Sequence, residues 1–137
     1  MSNFTWCVYS DGGSRGNPGP AACGFVLLTP AGNLREKCGK YLGVATNNQA
    51  EYQGLLEGLR AAIHHKVVNL SCFLDSELIV KQMTGEYRIK DPILRKIALF
   101  EIAPLRQKFK SLSFSHIPRE KNKEADLLVN ETLDRSI

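Results

Sequence analysis

The chain has 137 residues, 43% hydrophobic and 23% charged, with a formal net charge of +4 from 18 basic and 14 acidic residues. That size suits one compact domain with a single core, expected to span residues 1–137. No run approaches the roughly 18 apolar residues of a membrane-spanning helix, and Met1-Ser2-Asn3-Phe4-Thr5-Trp6 has neither the basic start nor the apolar stretch of a secretory signal.

The expectation is therefore a cytoplasmic monomer that makes no membrane contact, in which the sequons at Asn3, Asn69 and Asn130 carry no glycan. Cys7, Cys23, Cys38 and Cys72 share no zinc-type spacing and sit among β-formers, so they are expected to be small buried hydrophobes.

Thr5 to Ser10 reads as a strand, rich in β-branched and aromatic residues. A glycine-rich turn follows from Gly12 to Pro20, then a strand through Cys23–Leu28, turn chemistry at Thr29–Asn33, and a third strand from Leu34 to Leu42. These three form an antiparallel meander. From Thr46 to His64 the period changes: Tyr52, Leu55, Leu56, Leu59, Ala62 and Ile63 recur at helical spacing. A short strand, Val67–Leu74, precedes a helix ending near Thr84. Asp91-Pro92 pairs an N-cap with proline at the first helical position, opening a helix to about Lys108. Leu112–Ile117 alternates as a strand, and a last helix runs from Lys121 to about Arg135. The order βββαβααβα predicts an α/β fold, a mixed sheet flanked by helices.

Four acids occupy positions that a surface acid has no need of. Asp11 ends the first strand. Glu51 lies in the first turns of the long helix at the border of its apolar stripe, with Gly54 and Gly58 flanking the same face. Asp75 follows Leu70, Cys72 and Leu74, at the carboxyl end of a buried strand, where sites form in open α/β sheets. Asp126 has Val129 and Leu133 at i+3 and i+7, so it projects toward the core side. Each has an ordinary alternative: Asp11 as a turn residue, Asn48 and Glu51 as a near capping box, Asp75 (or Ser76) as a helix cap, Asp126 paired with Lys123 or Arg119. Together, however, they would bury several carboxylates, which is costly unless they are paired or bind metal. Oxygen-only ligands suit Mg²⁺ or Mn²⁺, and two such ions about 4 Å apart can clamp the attacking and leaving oxygens of a phosphodiester displacement. If four of the 14 acids hold metal, 18 basic residues face ten remaining acids, a surface suited to a phosphate backbone. No Ser-His-Asp or Cys-His arrangement stands out. Gly12, Gly13 and Gly16 allow close backbone approach to a ligand, but no Gly-Lys-Ser/Thr follows, which argues against ATP binding.

Four segments, each carrying one of these acids, resemble type 1 ribonuclease H in order and spacing: Tyr9-Ser-Asp-Gly-Gly-Ser-Arg-Gly-Asn-Pro-Gly19, Thr46-Asn-Asn-Gln-Ala-Glu-Tyr52, Leu74-Asp-Ser76 and His116-Ile-Pro-Arg-Glu-Lys-Asn-Lys-Glu-Ala-Asp126. The resemblance implies a five-stranded mixed sheet with strands 1–3 antiparallel. It implies an endonuclease that cuts the RNA strand of an RNA/DNA hybrid, leaving 5′-phosphate and 3′-hydroxyl ends. Asp11, Glu51, Asp75 and Asp126 would hold two divalent ions, Mg²⁺ or Mn²⁺. Asn17, Asn47 and Asn48 would hold the strands, Thr46 a DNA phosphate, and the backbone of Gly12, Gly13 and Ser14 the ribose 2′-hydroxyls. A histidine or arginine before the last acid assists product release or proton handling in relatives; His116 fits by spacing and Arg119 by its depth in the loop. The chain departs from many relatives in lacking a basic insertion: only Gly85–Lys90 separates Thr84 from Asp91, leaving Arg88 and Lys90 as its cations. This compact form is expected to bind hybrid more weakly, and double-stranded RNA is a further candidate substrate. The rivals are a junction resolvase or transposase-type nuclease, which lacks the Asn-rich segment and the Asp-Gly-Gly turn, and an inert nucleic-acid-binding scaffold, which would have lost one of the acids.

Overall fold

The computed structural model describes residues 4–137, so the sequon at Asn3 lies outside the described residues. Three strands, β1 (Thr5–Ser14), β2 (Gly19–Leu28) and β3 (Leu34–Ala45), form the antiparallel meander. After α1 (Asn47–His64), β4 (Asn69–Leu74) joins parallel to β1. The helix α2 (Glu77–Met83) and a second helical stretch lead to β5 (Ser111–His116), parallel to β4. The sheet order is β3-β2-β1-β4-β5, and α5 (Lys123–Ser136) closes the chain.

Strand alternation divides the apolar residues between two faces. On one face Val8, Phe25, Leu27, Leu70, Cys72 and Leu74 meet Tyr52, Leu55, Leu56 and Leu59 of α1, all buried. Each such side chain contributes about 1.5–3 kcal/mol on leaving water. The opposite face is covered over β2 and β3 by α5, where Ala22 packs with Val129 and Leu133.

The glycine-rich segment is strand rather than turn for most of its length. β1 continues through Gly12↔Cys23, Gly13↔Ala22 and Ser14↔Ala21, and only Arg15 to Pro18 turn. Asp11 therefore sits within a strand instead of ending one. Glycine's low strand propensity conceals this, but a glycine inside a strand marks a close approach by something else. A Cβ on Gly12 would lie 2.1 Å from the Ala50 carbonyl carbon, and one on Gly54 2.4 Å from the Asp11 carbonyl oxygen. Helix α1 thus rests on the backbone of β1. On the other face a Cβ on Gly39 would lie 2.2 Å from Thr132 Oγ1, so α5 also comes close to the sheet.

The stretch expected as one helix from Pro92 to about Lys108 is interrupted. It runs as α3 (Pro92–Ile97), a π-helical turn (Ala98–Ile102) and α4 (Ala103–Arg106). Pro104 is the physical cause, since it donates no N–H and its ring crowds the carbonyl four residues earlier. The turn widens, and the Ala103 N–H bonds to Ala98 O, five residues back. Asp91 does cap α3, accepting from the N–H groups of Ile93 and Leu94. The cysteine expectation holds in part: all four are free, Cys23 and Cys72 are buried, but Cys7 is half-buried and Cys38 exposed. Cys38 lies on the edge strand β3, which α1 barely covers.

Gly54→Ala should destabilise the protein by about 1–3 kcal/mol in urea unfolding, as overpacking does. Gly13→Ala, whose Cβ would meet Val129 at an ordinary 3.6 Å, should change stability by less than about 1 kcal/mol. Equal effects would mean that backbone contact does not set the height of α1.

Candidate active site

Parallel pairing of β1 with β4 brings two of the acids together. The ladder ends at Tyr9↔Phe73, whose rings stack with centroids 4.9 Å apart. Two residues further along each strand, and on the same face, stand Asp11 and Asp75. Glu51 reaches them from α1, because Gly12 and Gly54 let the helix down onto the strand. Carboxylate oxygens of Asp11, Glu51 and Asp75 all lie within 4.8 Å of one another.

None of these three is consumed by helix capping. The N-cap of α1 is Thr46, and the capping box pairs Thr46 with Gln49, not Asn48 with Glu51: Gln49 N donates to Thr46 Oγ1 and Thr46 N to Gln49 Oε1. Ser76, not Asp75, caps α2 by accepting from Ile79 N. Asp126 is near enough to raise the proton affinity of Asp11, but its Oδ1 lies 3.6 Å from Arg119 Nη2. The fourth acid therefore flanks the triad and is partly engaged by a cation.

Crowding shows in the proton affinities. Burial, then Asp75 and Asp126, push the Asp11 carboxyl up to about 7, against the pull of the Gly12 N–H. Glu51 is raised well above its usual range by burial, then by Asp11 and Asp75, with Arg119 opposing. Asp75 is raised by burial, with Arg119 again opposing. Glu51 Oε2 is buried with no hydrogen-bond partner among the described residues. An orphaned carboxylate oxygen among crowded acids is the environment that a divalent cation relieves, and the all-oxygen donor set fits Mg²⁺ or Mn²⁺.

These acids floor a cleft of about 430 Å³ that also takes in Gly12, Gly13, Ser14, Asn47 and Arg119. Asn17 and Asn47 act as a clamp between the turn and α1. Asn47 N donates to Asn17 Oδ1 at 2.9 Å, and Ser14 N donates to Asn47 Oδ1 at 2.8 Å. With both oxygens engaged, the amide NH₂ ends remain to donate outward. Asn48 is exposed beside them. Arg119 lines the cleft, whereas His116 does not; its Nδ1 lies 4.0 Å from Glu77.

The sequence reading missed Asn122. It is 1% exposed, its Nδ2 donates to Ser10 O at 2.9 Å, and its own carbonyl accepts from Asp126 N. It thus ties the residue before Asp11 to the turn that carries Asp126. The available signal was a single uncharged residue in the run Arg119-Glu-Lys-Asn-Lys-Glu124, one helical turn before Asp126.

Residues 9–132 match the family described as reverse transcriptase-like. The chain is 44% identical over 127 residues to a ribonuclease HI of Halobacterium salinarum, covering 93% of this chain and 63% of that protein. A bifunctional protein of Mycobacterium tuberculosis is 38% identical over 128 residues, of which the chain spans 35%. The chain thus spans less than two-thirds of the length of these curated relatives. Among solved structures, RNase H1 from Halobacterium salinarum superposes with a TM-score of 0.93 at 42% identity, covering 96% of this chain and 99% of that one. The chain belongs to the ribonuclease H family. A second family member, LC11-RNase H1 solved in complex with an RNA/DNA hybrid, superposes at 0.89 with 42% identity, covering 96% and 98%.

Two outcomes follow from the geometry. A raised acid pKa means that Asp11 stabilises the fold below 3.8 and that this contribution is lost as pH rises through about 7. In EDTA the melting temperature should fall over that interval, and Asp11→Asn should flatten the fall. A divalent cation at 100 times its Kd should restore about 2.7 kcal/mol. A wild-type melting temperature that rises with pH more steeply than the variant's would contradict this. Asn122→Ala, which orphans the Ser10 carbonyl, should cost about 1–3 kcal/mol and weaken cation binding in calorimetry roughly 10–100-fold. Unchanged cation affinity would leave Asn122 a purely structural residue.

Proposed function

We propose that the chain is an endonuclease that hydrolyses the RNA strand of RNA/DNA hybrids, with two divalent cations, Mg²⁺ or Mn²⁺, held by Asp11, Glu51, Asp75 and Asp126. The observation that carries this is the cluster of three carboxylates within 4.8 Å, one bearing an orphaned buried oxygen, where β1, the end of β4 and α1 meet. The hybrid seen in complex with LC11-RNase H1 supports the substrate, and the retention of all four acids argues against an inert scaffold.

Bound cations would supply positive charge at the phosphoryl oxygens and make water a competent nucleophile at neutral pH. The protein's own groups do the rest. The four carboxylates neutralise the cations and fix their positions, and the fold determines their spacing before any ligand arrives. Backbone groups of Gly12, Gly13 and Ser14 face the ribose 2′-hydroxyls, which distinguish RNA from DNA. The NH₂ groups of Asn17, Asn47 and Asn48 donate to the strands, and the Thr46 hydroxyl, which accepts from Gln49 N, still has its proton to give a DNA phosphate. Arg119, which lines the cleft beside Asp126, would offer a guanidinium to charge developing on the phosphate. His116, outside the cleft, is given no direct part. Scission leaves 5′-phosphate and 3′-hydroxyl ends.

End-labelled RNA/DNA hybrid, DNA duplex, RNA duplex and single-stranded RNA are incubated with Mg²⁺, Mn²⁺ or EDTA. The expected result is internal cuts in the hybrid's RNA, lost with EDTA, and reduced on the order of 10⁴-fold or more in Asp11→Asn, as when one member of a catalytic set is removed. Cutting of RNA duplex as well widens the substrate and keeps the chemistry. Folded protein that cuts nothing under either metal sinks the proposal in favour of the scaffold.

A further inference from the structure

We infer that Arg15 is a second nucleic-acid contact in the same cleft, gripping a phosphate of the RNA strand away from the cut. The inference rests on the hybrid-nuclease reading and extends it to a residue given no role above. Arg15 and Arg119 are the two cations among the residues lining the cleft, and they stand at different places along it. Arg119 pairs with Asp126, whereas Arg15 Nη2 donates to Asp134 Oδ1 at 2.6 Å and reaches Asn130 O at 3.5 Å. Asp126, Asn130 and Asp134 lie four residues apart on one face of α5, so Arg15 is held about 12 Å from the Asp126 position at 1.5 Å per residue. At that distance Arg15 meets a phosphate other than the one beside Arg119.

The backbone beneath Arg15 is fixed from both sides. Arg15 N donates to Pro20 O at 2.8 Å, and the Asn47 clamp grips Ser14 before it and Asn17 after it. An arginine on so constrained a turn loses little freedom on meeting a ligand. Both recorded contacts use Nη2, leaving Nε and Nη1 for a forked phosphate contact. As a stability device the pair is weak, because the Arg15 and Asp134 side chains are 41% and 68% exposed, and such pairs are worth about 0–1 kcal/mol. Exchange of that carboxylate for a phosphate therefore has a small barrier in free energy. The strand is assigned by adjacency: Arg15 directly follows Gly12–Ser14, whose backbone faces the ribose hydroxyls.

The test is hybrid binding by fluorescence anisotropy in EDTA, where nothing is cut, from 50 to 200 mM salt. Arg15→Ala should bind roughly 3–10-fold more weakly at low salt, with a salt slope smaller by about one. Arg15→Lys should keep the slope and recover only part of the affinity. Single neutral methylphosphonates are then placed at successive RNA-strand phosphates. One position away from the cut should weaken wild type but not Arg15→Ala, which a merely structural arginine would not produce. Equal affinity and slope for wild type and Arg15→Ala overturn the proposal alone. A coupled phosphate found on the DNA strand overturns the strand assignment. Wild type that neither binds nor cuts hybrid overturns the underlying reading, and this proposal with it.

Discussion

Helix α1 rests on the backbone of β1, with no side chain between them at Gly12 and Gly54. Any larger residue at either place would lift the helix, and Glu51 would rise away from Asp11 with it. Glycine inside a helix costs about 1 kcal/mol relative to alanine, yet α1 carries both Gly54 and Gly58 among its buried residues. A Cβ on Gly58 would lie 2.9 Å from Val8 Cγ2, so the same close seating continues along the helix. The helix gives up intrinsic stability along its sheet-facing side, and what it gains is the position of one carboxylate.

The convergence of acids then sets the electrostatics. Burial raises the proton affinity of Asp11, Glu51 and Asp75, Asp75 further raises that of both others, and Asp11 that of Glu51. Left alone, such a cluster works against the folded state at neutral pH, a cost that functional sites commonly carry. Arg119 opposes the shift at Glu51 and Asp75 and sits beside Asp126. It is a partial counter-charge, largely exposed, and so free to move without unpacking anything. The fourth acid is anchored independently, by the Asn122 link from α5 to β1. Triad and fourth acid therefore depend on different parts of the fold: the α1 contact in one case, the α5 contact in the other.

Much of this was legible in the sequence because it rests on periodicity and end chemistry. Helical spacing gave α1, Asp91-Pro92 gave the start of α3, and the buried alternation before Asp75 gave a strand end facing a crevice. The four acids were found because each stood where an acid has little business. What escaped were features whose cause lies far away in sequence. Gly12 and Gly13 read as a turn because strand propensity describes a residue's own preferences, and here the reason for glycine is a helix forty residues later. Pro104 lies inside the helix that Asp91-Pro92 opens, and a start signal says nothing of a break twelve residues further on. Asn48 and Glu51 have the spacing of a capping box, with Asn in place of Ser or Thr, and only the backbone shows that Thr46 and Gln49 form it. Asn122 and Arg15 act across more than a hundred residues, a separation that no local pattern encodes.

The resulting cleft has a division of labour built into its charge. Its floor is acidic and repels a phosphate until cations are present, whereas its rim carries the donors: the Asn17–Asn47 clamp, the N-terminus of α1 and the arginines. The rim donors need no ion, because amides, hydroxyls and guanidinium groups keep their hydrogen-bonding character without one. On the proposed reading the floor does require one, since only neutralised carboxylates would let a phosphate settle among them. Rim and floor thus differ in whether they need an ion. The clamp serves both: it holds the turn that presents the rim donors, and it ties that turn to the helix that delivers Glu51 to the floor.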